Sequence, residues 1–294
     1  LRIRSEEQSA RLPALLARAE HLAGAVLLGA HGRRRAGVGD DFWQYRPAQA
    51  GDSRRSIDHR RSAMGDHEFV REREWQIAQS VMLWVDQGAS MRFASTPALE
   101  QKGDRARLIG LALAILLQRG GERVGLTGSA LPPRSGRPQI LRLAEALCQD
   151  DAADYAPPEH RAMIPHARAV FISDFMGDLA GVTTALTKAA DRGVRGVLYH
   201  VLDPSEEAFP FTGRTIFESV GGTLRHETLK ANDLKDRYLE RLAARKAELR
   251  HLCALTGWQY GLHHTDGSPQ SALLWLYGAL DARGGEGALH GADD

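Results

Sequence analysis

Apolar and polar positions follow two different periods along this chain, and the two periods alternate. Short apolar runs typical of buried strands occur at residues 81–85, 123–126, 169–172, 196–202 and 258–262. Apolar residues at three- and four-residue steps predict helices over residues 105–118, 139–147, 179–191, 229–255 and 271–280. Strands that alternate with helices favour a parallel sheet with helices on both faces. The pattern therefore predicts an α/β fold with a doubly wound, mostly parallel sheet.

The N-terminal quarter of the chain has a different pattern. Residues 6–28 carry apolar side chains at helical spacing, whereas the stretch after them is rich in Gly, Arg and Asp and predicts loops with short extended pieces. A strand at 67–76 and a short hairpin at 213–226 complete the predicted elements. We expect an N-terminal helix and Arg-rich segment packed on the core (1–75), an α/β core (76–284) and a flexible tail (285–294).

Composition argues against several classes of function. The 294 residues contain 38 basic and 37 acidic side chains, so the formal charge of +1 provides no overall field for nucleic acid or an anionic membrane. Cys148 and Cys253 lie far apart, which predicts neither a disulfide framework nor a cysteine zinc site. No apolar run reaches the ~18 residues of a membrane span. Acidic Glu6 and Glu7 are unlike the start of a signal peptide, so we expect a cytoplasmic protein.

Carboxylates follow the predicted strands. Asp86 comes directly after the 81–85 run, Asp174 follows the 169–172 run by one serine, and Asp203 closes the 196–202 run. Parallel strands all end at the same edge of a sheet, and open parallel sheets bind their ligands at that edge. Two desolvated carboxylates repel each other, and Mg²⁺ or Mn²⁺ would stabilise them, with the Ser90 hydroxyl as a further ligand. The alternative is that Asp86 and Asp174 only cap the helices that follow them.

Several motifs relate the chain to a known family. The segment YRPAQAGDSRRSIDHRRSA at 45–63 is followed by FVRERE, then by DQGASM at 86–91, KGDRARLIGLALAILLQRGGERVGL and VFISDF. In this order the strings resemble the domain of unknown function 58 family. The resemblance implies a von Willebrand factor A-like core. It also implies a partnership with a MoxR-type AAA ATPase, for which such proteins are thought to act as adaptors that assemble or activate a client protein.

The resemblance also assigns metal ligands. A von Willebrand factor A site uses the motif DxSxS, a later threonine and an aspartate on a further strand. Asp86, Ser90 and Asp174 match these positions, but Gly88 stands at the first serine and no clear threonine follows. Three protein ligands and several waters can still hold Mg²⁺ or Mn²⁺. The resemblance therefore implies a degenerate metal site.

The Arg-rich segment contains nearly balanced charges. Residues 31–75 hold Arg side chains at ten positions and acidic side chains at eight, with no interleaved stacking aromatics of the kind that bind nucleic acid. We expect a structural ion network in which Asp58 pairs with Arg54, Arg55 or Arg61. The cluster Arg33, Arg34 and Arg35 is the one candidate patch for a phosphate or a partner.

Familiar catalytic motifs are missing. The sequence contains no GxxxxGK[ST] phosphate loop, no GxSxG elbow and no HExxH helix. His200 lies within an apolar run and is expected in the core, while adjacent His263 and His264 would face opposite sides of a strand.

Two functions from different classes fit these observations. The first is a non-catalytic interaction module, an adaptor that binds its partners through the degenerate metal-site face of the sheet. The alternative is a metal-dependent hydrolase or phosphotransferase in which Asp86 and Asp174 hold the ion. The missing general base favours the adaptor, so we expect no enzyme activity and no nucleic-acid partner.

Overall fold

The computed structural model describes residues 2–30, 42–48, 59–62, 69–73, 79–151, 153–160, 163–218 and 225–281. They divide into two compact units: Leu1–Gly29 with Gln79–Asp294, and Ala30–Ala78. The helix that opens the chain thus belongs to the same unit as the main sheet. The predicted packing of residues 31–75 on the core stays a prediction, and the predicted tail at 285–294 lies outside the described residues.

The helices and strands alternate as the sequence pattern predicts. The described strands are β1 Phe42–Pro47, β2 Phe69–Arg73, β3 Ser80–Val85, β4 Arg123–Leu126, β5 Arg168–Ser173, β6 Arg195–Leu202, β7 Thr215–Glu218, β8 Arg225–Thr228 and β9 Gln259–His264. The described helices are α1 Arg2–Ala30, α2 His59–Ser62, α3 Lys102–Arg119, α4 Arg137–Leu147, α5 Ala180–Asp191, α6 Pro204–Ala208, α7 Asn232–Thr256 and α8 Pro269–Asp281.

Five of the described strands form the main sheet in the order β4-β3-β5-β6-β9, and all neighbours are parallel. The doubly wound fold predicted from the sequence is confirmed. From β3 the chain first adds β4 on one side and then crosses to place β5 on the other side. This reversal opens a crevice at the carboxyl ends of β3 and β5, which is where open α/β sheets bind ligands.

Alternate residues of each strand enter different core layers. Val81, Leu83 and Val85 pack in a cluster with residues of α1, α3, α4 and α8, whereas Met82 and Trp84 pack with residues of α5 and α7. Each strand is therefore buried on both faces, which explains why the strands appear in the sequence as continuous apolar runs. Helices on both faces hold the strand ends, and the loops that follow them, in place.

Helix α3 is the most deeply buried helix among those described. Its segment ARLIGLALAILL is apolar on nearly every side, and a helix of that kind is stable only when it is covered all round. Helices α4 and α8 pack beside it, and α1 contributes Ala19, Leu22, Ala23 and Val26 to the same core. This burial fixes the first residue of α3, Lys102, against the switch point of the sheet.

Two antiparallel pairs lie outside the main sheet. Strands β7 and β8 form the hairpin predicted at 213–226, paired from Thr215 with Thr228 to Glu218 with Arg225. In the second unit, β1 pairs with β2. Among the described residues, no helix combines the length and apolar character needed to cross a membrane.

Candidate functional site

Asp86 lies at the crevice, immediately after β3. Its backbone N–H donates to the carbonyl of Ile172 at 2.9 Å, which continues the pairing of β3 with β5. Its Oδ2 accepts a hydrogen bond from Ser173 Oγ at 2.6 Å, and its Oδ1 accepts one from the N–H of Gly88 at 2.8 Å. The side chain is buried, and this burial raises the pKa of Asp86 from 3.8 to about 6, although the Ser173 and Gly88 bonds oppose the rise.

Asp174 follows β5 and is also buried. Its Oδ1 accepts the N–H of Met176 at 3.1 Å, and its Oδ2 accepts a hydrogen bond from Lys102 Nζ at 2.8 Å. Burial alone would raise the pKa of Asp174, but the charge and hydrogen bond of Lys102 outweigh it, so this pKa lies below its ordinary value. Asp174 is therefore held as a carboxylate.

Lys102 bridges two acidic side chains. Its Nζ lies 2.8 Å from Asp174 Oδ2 and 2.7 Å from Glu206 Oε1, and it stands 5.6 Å from the centre of the Phe93 ring. Only 2% of the lysine is exposed. A cation at the first position of a helix interacts unfavourably with the helix dipole. The contacts with the two carboxylates offset this cost and hold Lys102 in place. Burial alone would lower the pKa of Lys102. The charges of Asp174 and Glu206 have the larger, opposite effect, so the pKa of Lys102 lies above its ordinary value.

Glu206 is positioned by a capping box at the start of α6. The Asp203 side chain accepts the N–H of Ser205 at 2.9 Å, and Glu206 Oε2 accepts the N–H of Asp203 at 2.8 Å. Asp203 also accepts the N–H of Ser95 at 2.9 Å, which ties the loop before α3 to the end of β6. The other oxygen of Glu206 is thereby directed at Lys102.

Of the three strand-end aspartates, Asp203 caps a helix, whereas Asp86 and Asp174 do not. Asp86 and Asp174 each accept a backbone N–H two residues further along, which is an Asx turn rather than a helix cap. The helix after Asp174 begins with Leu179 at its N-cap and has no side-chain cap there.

A segment of the chain covers the loop after β3. We call residues 153–156 the cover segment. The carbonyls of Ala153 and Asp154 accept the N–H groups of Ala89 at 2.8 Å and Ser90 at 3.0 Å, and the N–H of Ala156 donates to Asp86. A Cβ at Gly88 would lie only 2.8 Å from the Asp154 carbonyl. The close approach of this segment leaves no room for a side chain at Gly88 unless the cover segment or the loop moves.

Tyr155 is the solvent-exposed aromatic residue of the cover segment. Its ring packs so closely on Gly177 that a Cβ at that glycine would be 2.7 Å from the tyrosine side chain. Even so, 43% of Tyr155 is exposed. Burial raises the pKa of Tyr155, and the charge of Asp174 adds to the rise while that of Lys102 opposes it.

The three predicted metal ligands do come together. The charge of Asp174 raises the pKa of Asp86, and the side chain of Ser90 helps lower the pKa of Asp174. The Ser90 hydroxyl is buried and, within the described residues, lacks a hydrogen bond of good geometry. The donor set nevertheless does not fit a divalent cation, because the Lys102 ammonium stands against Asp174. Over the described ranges, no group of three His, Cys, Asp or Glu side chains is arranged to hold a metal.

A cleft of about 950 Å³ adjoins the site at the ends of β3 and β4. Gln87 and Ala156 line it, together with Trp84, Pro157 and Thr127. Thr127, directly after β4, donates its backbone N–H to the Leu83 carbonyl at 3.0 Å, and its buried hydroxyl has no partner in the described part of the chain. Strand β4 lies on the side of β3 away from β5, and Thr127, which follows β4, lines this cleft.

The histidines have separate structural surroundings. His200 is fully buried on β6, its Nδ1 lies 2.8 Å from the Tyr260 hydroxyl, and burial lowers the pKa of His200 to about 3. His263 stacks on Tyr199, whereas His264 pairs with Glu207 at 2.7 Å. The prediction that the two adjacent imidazoles face different sides is confirmed.

The arginine predictions fall mostly outside the described residues. Arg33, Arg34, Arg35, Arg54, Arg55 and Asp58 lie there, and Arg61 is described only as part of the backbone of α2. The ion network and the partner patch stay predictions.

The site thus defines an α/β protein with paired carboxylates, Asp86 and Asp174, at the switch point of a parallel sheet. A family model described as "Protein of unknown function DUF58" matches residues 44–248, which is more than half of the chain, and the chain belongs to that family. The resemblance seen in the sequence motifs is confirmed at this level. The family description names no activity and no partner.

Other comparisons add little. No curated protein matches the sequence. A solved structure, the conserved hypothetical protein BatB from Bacteroides thetaiotaomicron, is similar at 13% identity over 69% of this chain and 99% of that chain, with a TM-score of 0.39. At this TM-score the likeness supports no structural or functional argument.

Proposed function

We propose that this protein is a non-catalytic adaptor that works with a MoxR-type AAA ATPase in the assembly or activation of a client protein. The observation that carries this proposal is the engagement of both strand-end carboxylates by the chain itself. Asp174 is bound by Lys102, and Asp86 is bound by Ser173 and Gly88. A general base or nucleophile must instead reach its substrate.

The alternative of a metal-dependent hydrolase has weaker support. A pKa near 6 would suit Asp86 as a general base, but this side chain is 2% exposed and lies beneath the cover segment. His200 cannot serve in its place, because its low pKa and full burial keep it neutral and away from solvent. No specific observation favours hydrolysis or phosphoryl transfer.

Partner binding through this face would use the outside of the site. Tyr155 offers an exposed aromatic ring beside Gly177, three residues after Asp174, and aromatic rings of this kind often dominate binding energy at protein interfaces. The cleft beside Gln87 provides a concave surface of a size that accepts side chains of a partner. The buried ions would then shape the surface without touching the partner.

Binding of the full chain to the purified MoxR-type ATPase from the same organism tests the proposal. We expect Tyr155→Ala to weaken binding about tenfold, as loss of an aromatic anchor does. Leu255→Ala is the matched control, because Leu255 is 70% exposed at the end of α7, at the opposite edge of the sheet. No binding by the wild-type protein, or equal binding by both variants, would contradict the proposed surface.

The absence of catalysis has its own test. Generic phosphoesters and esters are offered to the protein with Mg²⁺ and with Mn²⁺, and we expect no turnover above that of Asp174→Asn. Turnover that this variant abolishes would establish an enzyme.

A further inference from the structure

A lysine stands where the sequence motifs imply a divalent cation. Lys102 Nζ lies within hydrogen-bond distance of Asp174 Oδ2 and Glu206 Oε1, at 2.8 and 2.7 Å. Asp174 is one of the residues that a bound metal would need. The ammonium therefore uses an oxygen on which an Mg²⁺ or Mn²⁺ ion would depend.

The position of Lys102 is built into the fold. Lys102 opens the deeply buried helix α3, and its backbone N–H donates to the Phe93 carbonyl at 3.1 Å. Glu206 is held by the capping box with Asp203 at the start of α6. The start of α3, the end of β5 and the start of α6 thus converge on the nitrogen of a lysine that is 2% exposed.

Asp86, a second predicted ligand, is engaged by the chain as well. Each oxygen of Asp86 accepts a hydrogen bond, from Gly88 at 2.8 Å and from Ser173 at 2.6 Å. The cover segment lies against Gly88, where a Cβ would be 2.8 Å from the Asp154 carbonyl oxygen. A divalent ion close to the ammonium would be repelled strongly, because repulsion between charges is little screened in a buried site.

We propose that Lys102 is the resident cation of this site and takes the place of Mg²⁺ or Mn²⁺. The fixed ammonium neutralises Asp174 and organises the loops after β3, β5 and β6 without a metal. It follows that binding of a partner at this face needs no divalent cation. This last consequence rests on the proposed adaptor function, whereas the claim about the lysine does not.

Titration of the full chain with Mn²⁺, followed by the paramagnetic resonance of the free ion, tests the claim without a partner. We expect no Mn²⁺ binding that depends on Asp174 in the wild-type protein. Lys102→Ala removes the ammonium and leaves room for an ion beside Asp174 and Glu206, so it should bind Mn²⁺ at least about tenfold more tightly than wild type. Lys102→Met removes the same charge but fills the space, and it should gain no such binding.

Three results would overturn the claim. The first is Mn²⁺ binding by the wild-type protein that Asp174→Asn abolishes. The second is a folded Lys102→Ala variant that binds Mn²⁺ no better than wild type. The third applies if the Lys102→Ala variant is unfolded, in which case it is refolded from urea with and without Mn²⁺. Recovery of the native circular dichroism only with Mn²⁺ would support the claim. No recovery with Mn²⁺ would count against it.

A second measurement separates this inference from the proposed function. Binding of the MoxR-type ATPase to the wild-type protein, with nucleotide absent, is compared in EDTA and in millimolar Mg²⁺. Equal affinity supports metal independence, while loss of binding in EDTA would overturn it and leave the adaptor function standing. No binding in either buffer would contradict the adaptor function, and the Mn²⁺ titration would still judge the role of Lys102.

Discussion

Lys102 and Asp174 form a buried ion pair, with Nζ 2.8 Å from Oδ2 and exposures of 2% and 1%. The pair joins the start of α3 to the end of β5 at the switch point of the sheet. A buried pair of this kind contributes modest net stability when it is intact, but the loss of one partner leaves an uncompensated charge in the interior.

Lys102→Met should therefore destabilise the protein strongly. The substitution keeps most of the side-chain volume but leaves Asp174 and Glu206 without their counter-ion. We expect a loss of about 3–5 kcal/mol in the free energy of unfolding, measured by urea denaturation at neutral pH. Lys235→Met on the exposed surface of α7 is the control and should change the free energy by less than about 0.5 kcal/mol. Similar effects for the two variants would show that the ion pair is unimportant for stability.

Asp86 should make stability depend on pH in an unusual direction. Burial raises its pKa to about 6, above the 3.8 expected in the unfolded chain, so the folded state binds the proton more tightly. The stabilising contribution is complete below the unfolded pKa and is lost as the pH rises through about 6. A rise of this size corresponds to about 3 kcal/mol of lost stability at higher pH.

Asp86→Asn tests this dependence. The amide keeps the size of the carboxyl, can accept from Gly88 and donate to Ser173, and never ionises. The variant should gain in unfolding free energy relative to wild type as the pH increases from about 4 to about 7, by up to about 3 kcal/mol. Exposed Asp191→Asn should show no such trend. A difference from wild type that stays constant over this range would refute the raised pKa.

Gly88→Ser should destabilise the protein although it introduces the serine that the DxSxS motif has at this position. The new Cβ would lie 2.8 Å from the Asp154 carbonyl, so the cover segment or the loop after β3 must move. We expect a loss of about 1–3 kcal/mol in thermal or urea unfolding. Gly278→Ser is the control, because no atom lies within 4 Å of a Cβ at that position on α8. A neutral or stabilising Gly88→Ser would mean that the cover segment does not hold this position.

Asp203→Ala should disturb both the capping box and the loop before α3. The substitution removes the acceptor for the N–H groups of Ser205 and Ser95, and it loosens the helix turn that positions Glu206. We expect a loss of about 2–4 kcal/mol. Asp203→Asn retains one acceptor oxygen and should lose less, so equal losses for the two variants would argue against the hydrogen bonds as the cause.

Much of this architecture is readable from local pattern. The apolar runs that became β3 to β6 and β9 are recognisable because strands buried on both faces need apolar side chains at every position. Asp86 and Asp174 could be assigned to one edge because parallel strands all end on the same side of a sheet. The motif around Ser90 pointed to the same loop.

The cation of the site was not visible in that pattern. Lys102 lies 72 positions from Asp174 and 104 from Glu206, and in the sequence it is simply a lysine before a helix. A signal did exist, since a lysine at the first turn of a helix opposes the helix dipole and calls for a nearby acid. The sequence supplies no distance, however, and several acids could have met that need.

The local order of residues was enough to specify the strands, the helices and the shared edge of the two aspartates, since each depends on periodicity or on chain direction. Long-range packing selected Lys102 as the partner of Asp174, laid the cover segment over Gly88, and buried Asp86 deeply enough to raise its pKa. Charge pairing and desolvation depend on distances between segments remote in the chain, and these distances exist only after the layers have packed.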